Sequence, residues 1–112
     1  MPVMTDRRSV LANTVSANVC AGKLDEFVAR PSIVRLYATG AAVGLNVTFL
    51  VGGGVPVVND QEVNAQNRMP IRPDDFVSET VARAGSRIVV TFRNTTGGNI
   101  DGFSTVEIVP IA

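Results

Sequence analysis

The sequence predicts an all-β fold: a single antiparallel β-sandwich, jelly-roll-like, with an N-terminal arm. Three observations predict it. Apolar residues alternate with a period of two in most runs, glycines fall between the runs, and no segment carries a clean helical period. The 112 residues suit one domain, and with 46% hydrophobic and 18% charged residues the chain has enough apolar surface for one core.

Taken in order, residues 1–13 form the expected arm and residues 14–112 the sandwich domain. Met1 to Arg8 shows no strand pattern, and Arg7 and Arg8 can reach carboxylates across an interface. Residues 10–19 are β-compatible but weakly patterned. Residues 23–29 fit one turn of helix, with Leu24, Phe27 and Val28 on one side and Pro31 as its end. Residues 32–38 alternate Ile33, Arg35 and Tyr37 against Val34, Leu36 and Ala38. Residues 45–51 alternate Leu45, Val47, Phe49 and Val51 against Asn46, Thr48 and Leu50. Residues 55–58 carry Pro56 and suit an edge.

Residues 76–83 place Phe76, Ser78, Thr80 and Ala82 opposite Val77, Glu79, Val81 and Arg83. Residues 87–93 put Ile88, Val90 and Phe92 on one face, and residues 103–111 are β-rich and end near Pro110. The turns fall at Gly40, Gly52-Gly53-Gly54, Ala84-Gly85-Ser86, Gly97-Gly98 and Asp101-Gly102, with Ala84-Gly85-Ser86 short enough for a hairpin. The expected core is Ile33 or Leu36, with Leu45, Val47, Phe49, Ile88, Val90 and Phe92.

Residues 59–75 fit no strand. This long polar stretch holds Pro70 and Pro73, which pre-set an extended path and lower the entropy lost on docking. It carries Arg68, Met69, Ile71 and Arg72. Met and Arg are enriched at protein interfaces, so these four, with Arg7 and Arg8, are the expected partner-binding residues.

Several function classes lose their chemistry. Histidine is absent, which removes Ser-His-Asp and Cys-His sites, His-liganded metals and imidazole acid–base work at neutral pH. A single cysteine, Cys20, builds neither a disulfide nor a thiolate metal site and reads as a small buried hydrophobe. Residues 17–24 miss the first glycine and the Ser/Thr of a phosphate loop, having Ala17 and Leu24 there. The pairs Asp25-Glu26, Asp60 with Glu62, and Asp74-Asp75 lack calcium-loop spacing. No catalytic, cofactor-binding or metal residue is assigned, and no enzyme activity is expected.

Ten basic residues balance ten acidic ones, so counterion release on nucleic acid offers little and no nucleic-acid partner is expected. The uncharged stretch from Leu36 to Asn59 is too rich in glycine and too clearly alternating for a membrane span. Arg7-Arg8 before an apolar run suggests an export signal, but Asn13, Thr14, Ser16 and Asn18 interrupt that run.

The stretch from Asp74 to Gly98, with Gly85-Ser86-Arg87 before an apolar strand and Asn94-Thr95-Thr96-Gly97 after it, resembles the small β-sandwich decoration (cement) proteins of tailed bacteriophage capsids. The resemblance implies a virion structural protein, made in the host cytoplasm, that binds a capsid shell. It also implies the major capsid protein or another virion protein as partner, and a homo-oligomer, dimer or trimer. Alternatives are a phage tail or head–tail connector subunit, or a carbohydrate-binding β-sandwich. The last is weakened by the absence of tryptophan and the scarcity of exposed-face aromatics.

Overall fold

A strand with one apolar face needs a second sheet to cover it, and two such sheets stacked face to face make a sandwich. The computed structural model describes residues 3–23, 26–52, 56–71 and 74–111. Among them are eight strands and no helix: β1 (Val3–Val10), β2 (Ser32–Gly40), β3 (Leu45–Val51), β4 (Val58–Glu62), β5 (Asn64–Ala65), β6 (Phe76–Ala82), β7 (Ile88–Asn94) and β8 (Ile100–Pro110).

The larger sheet runs β1-β8-β2. Beyond β2 its edge is shared by antiparallel β6, along Ser32 to Tyr37, and by parallel β5 at Thr39 and Gly40. The smaller sheet runs β4-β3-β7, all antiparallel. The expected all-β sandwich is therefore present.

Residues paired across strands share a face. Val34, Leu36 and Ala38 of β2 pair with Ile108, Val106 and Ser104 of β8, and this face turns inward. It meets Leu45, Val47 and Phe49 of β3 and Ile88, Val90 and Phe92 of β7, all fully buried. Every expected core residue is there, and of the two options on β2 it is Leu36, at 0% exposure, that faces inward. Ile33 lies on the outer face with its partners Val81 and Val109.

The N-terminal segment differs from expectation. Val3–Val10 is not an arm outside the sandwich but β1, paired with β8 from Val3↔Glu107 to Val10↔Ile100. Its inward residues Met4 and Val10 are buried against the core. Alternation was masked because Asp6 and Arg8 occupy the inward positions between those two, where they neutralise each other.

Residues 10–19 and 23–29 also differ: apart from Val10, the end of β1, the first stretch forms no strand, and the described residues of the second form no helical turn. Instead residues 14–19 and 26–28 run along the outer edge of β7 and satisfy its backbone, as a buried strand edge requires. Val19 N donates to Val90 O at 2.8 Å, and Ile88 N donates to Glu26 O at 2.8 Å. The Asn18 side chain acts as a stand-in peptide group, accepting from Val90 N at 2.9 Å and donating to Ile88 O at 3.1 Å.

Three further assignments shift. Residues 83–87 do not close a hairpin; they carry the chain from β6 in the larger sheet to β7 in the smaller one. Asp101-Gly102 is no turn but lies inside β8, where a Cβ on Gly102 would press on Phe92 and Leu45 from 3.0 and 3.2 Å. The edge strand expected at residues 55–58 is β4, which starts at Val58; Val55 lies outside the described residues. The uncharged stretch from Leu36 contributes to β2, β3 and β4, and no described helix is long and apolar enough to cross a membrane.

Candidate functional site

The long stretch at residues 59–75 resolves into two parts. Its first half supplies β4 and β5, joined at buried Val63, so the chain steps from one sheet to the other. The described residues 66–71 and 74–75 form no strand, and they are tied to the end of β2 by hydrogen bonds to Ala38, Thr39 and Gly40. Asp75, 3% exposed, organises this loop. Its carboxylate accepts from Arg68 Nη1 at 3.0 Å, from Asn64 Nδ2 at 3.3 Å and from Ile71 N at 2.9 Å. Its own N–H donates to Ile71 O at 2.9 Å, and its carbonyl accepts from Ala38 N at 3.2 Å. The Thr39 hydroxyl donates to Arg68 O, which ties the loop to β2.

This geometry separates the predicted residues. Arg68 faces its own chain as the cation of a buried carboxylate, so its first duty is to hold the loop. Met69 and Ile71 stand exposed on that loop, at 38% and 47%. Arg72 lies outside the described residues. Arg7 and Arg8 point to opposite faces of β1, as successive residues of a strand must. Arg7 lies on the outer face, 3.1 Å from Asp101 Oδ2 and with its guanidinium 5.4 Å from the centre of the Phe103 ring. Arg8 turns toward the chain's own residues 17–23. It donates to both Asp6 oxygens, at 2.7 and 3.1 Å, and to Ala17 O at 3.4 Å. The hydrogen bond to Asp6 raises the Arg8 pKa, so this guanidinium is a fixed internal cation. The five described residues thus do not form one site; Met69 and Ile71 are exposed on the same loop, which Arg68 helps to hold.

Phe76 joins them, and sequence reasoning missed it. A bulge at Val77 makes Phe76 pair with Tyr37, while Ser78 still pairs with Leu36. One inserted residue flips the face. Phe76 therefore stands with Glu79 and Val81 on the outer face and not with Ser78 and Thr80. It is 45% exposed and meets the Tyr37 ring edge-on, with centroids 5.7 Å apart. No local signal marked it, because a one-residue bulge leaves no trace in a two-residue period.

The outer face of the larger sheet is therefore layered. At one end Val81, Ile33 and Val109 form an apolar row across β6, β2 and β8. Next comes a charged row, with Arg35 3.2 Å from Glu107 and 3.6 Å from Glu79. Then come Phe76 and Tyr37, and beyond them the loop that presents Met69 and Ile71.

Elsewhere the charged groups serve the fold. Glu26 accepts from Gly22 N and from Arg87 Nε, and these bonds lower its pKa. The Asp60 pKa is lowered chiefly by the paired hydrogen bonds from Arg93, at 2.9 and 2.6 Å. Burial pushes the Cys20 thiol up to about 12, so it is not an activated nucleophile. Among the described residues no group of three or more His, Cys, Asp or Glu side chains is placed to hold a metal ion. Comparison with protein families, with curated proteins and with solved structures returns no match.

Proposed function

We propose that the chain is a non-enzymatic structural module that docks on another protein through the margin of the larger sheet where Met69, Ile71 and Phe76 stand exposed. One observation carries this reading: exposed Met69 and Ile71 stand on a loop that is anchored by the hydrogen bonds of the buried Asp75 carboxylate and by the bond from the Thr39 hydroxyl to Arg68 O, with exposed Phe76 directly after Asp75. An ordered loop has already lost its conformational entropy, so its apolar groups bind at lower cost than those of a flexible one. The flanking charges, Glu79 and Arg35, supply a polar rim of the kind interfaces use.

The resemblance to capsid decoration proteins makes a virion shell the surface on which to test this reading. The double change Ile71→Ser, Phe76→Ser removes two of the three exposed apolar groups and leaves Arg68 and Asp75 in place. Co-sedimentation with undecorated capsid particles should then weaken by roughly tenfold or more, as for hot-spot side chains, with the melting temperature of the free protein nearly unchanged. Undiminished co-sedimentation would place the contact elsewhere. Absence of binding by the unaltered protein to any virion particle would remove the capsid reading.

A further inference from the structure

A strand at the edge of a sheet is a template for another strand unless something blocks it, and the edges of this sandwich are treated unequally. β7 is covered by residues 14–19 and 26–28. β4 is bulged, with Asp60 at φ 56°, and carries exposed Asn59, Asp60, Gln61 and Glu62. On β1 the Lys23 ammonium occupies Thr5 O at 2.9 Å. β6 has no such guard. It is seven residues long, and no described backbone group outside β2 bonds to it. It also exposes Val81, at 66%.

The direction of its free groups follows from its neighbour. Ala38 N donates to Asp75 O and Gly40 O accepts from Gln66 N, so the even-numbered residues of β2 direct their backbone toward the β6 and β5 edge. Their partners Ser78, Thr80 and Ala82 bond inward. Glu79 and Val81 therefore direct N–H and C=O outward, and their side chains lie on the outer face. Arg83, the next odd-numbered residue, follows the end of β6 and is exposed; its carbonyl accepts from Ser86 N, and no described group bonds to its N–H.

We propose that two copies of the chain pair β6 with β6, antiparallel, across a two-fold axis at Val81. In this register each Val81 exchanges both backbone bonds with its counterpart. Each Glu79 faces Arg83 of the other copy, and Arg83 makes no ion pair among the described residues of its own chain. A register centred one step away on Glu79 would set two carboxylates face to face, which is unfavourable. The apolar row Val81, Ile33, Val109 then continues through the axis into the same row of the second copy, and the two larger sheets become one. This goes beyond the docking proposal and does not rest on it, because the partner is the chain itself.

The test is sedimentation velocity of the purified chain across the micromolar range. The unaltered protein should be a dimer at the upper end. Val81→Pro removes an N–H that β2 does not use, a position where an edge strand tolerates proline, and should raise the dimer Kd by roughly tenfold or more. Arg83→Glu and Glu79→Arg should each impair self-association, while an equimolar mixture of the two restores a dimer, since both charge pairs are attractive only in the mixed species. Circular dichroism establishes that each variant is folded. If Glu79→Arg misfolds through its contact with Arg35, Val81→Pro and Arg83→Glu still decide the matter. A monomer at high micromolar concentration, or a dimer that folded Val81→Pro leaves intact, overturns the proposal. Failure of two folded charge variants to pair overturns the register.

Discussion

Cys20 shows how one residue's chemistry is set by where the chain buries it. At 1% exposure, its thiolate would lose nearly all hydration, and burial outweighs the nearby Lys23 ammonium that favours the charged form. The folded pKa rises from 9.0 to about 12. Because the folded value lies above the unfolded one, the contribution of the neutral thiol to stability is complete below about pH 9. It is then lost as pH climbs toward 12. Alkylation by iodoacetamide at mildly alkaline pH should be slow in buffer and fast in urea, and the melting temperature should fall as pH rises past the unfolded value. Equal alkylation rates in buffer and urea would contradict the burial. The sequence already read this cysteine as an interior hydrophobe. Asn18 and Asn94 were not legible in the same way. Asn94, 1% exposed, donates to Val10 O and Gly98 O and accepts from Thr96 N, and only the folded neighbours define those roles.

At the scale of an element, the loop residues 66–71 depend on the Asp75 carboxylate and its donors. Arg68 was expected to be a partner-binding residue, and its bond to buried Asp75 gives it a part in holding its own loop. Arg68→Ala should lower stability by about 1–3 kcal/mol, because a buried carboxylate loses its cation while Asn64 and Ile71 N still bond to it. A thermal melt checks this, and an unchanged midpoint would mean that solvent replaces the guanidinium. Arg68→Lys keeps the charge but not the planar donor geometry and should recover only part of the loss. The bulge at Val77 belongs to the same scale. Alternation across residues 76–83 located β6, but it assigned Phe76 to the wrong face, because a bulge leaves no mark in a two-residue period.

For the whole molecule, the decisive feature is that the chain passes repeatedly between the sheets. β1 lies at one edge of the larger sheet, yet its Met4 and Val10 belong to the shared core. Deleting residues 1–10 should therefore do more than trim an arm. It should strip β8 of a partner along Val3–Val10 and abolish cooperative unfolding, seen as loss of a sigmoidal melt followed by circular dichroism. A truncated chain that melts sharply near the full-length midpoint would show that the sandwich closes without β1. The crossover at residues 83–87 acts on this scale too. It sets β6 on one sheet and β7 on the other, which leaves β6 with a single neighbour and an open edge.

The sequence by itself determined the all-β class, the positions of β2, β3, β6 and β7, and the inner residues Leu45, Val47, Phe49, Ile88, Val90 and Phe92, while on β2 it left Ile33 or Leu36 open. These follow from local alternation, which sets which side of a strand is apolar before any partner is known. The tertiary structure alone decided which strands pair, that β1 joins the sheet, that Arg68 turns inward while Ile71 and Phe76 stay out, and that β6 is left unguarded. Each of these depends on residues far apart in the chain meeting across a sheet, as Asp75 meets Ala38 and Asn18 meets Val90, and no local period records such a meeting.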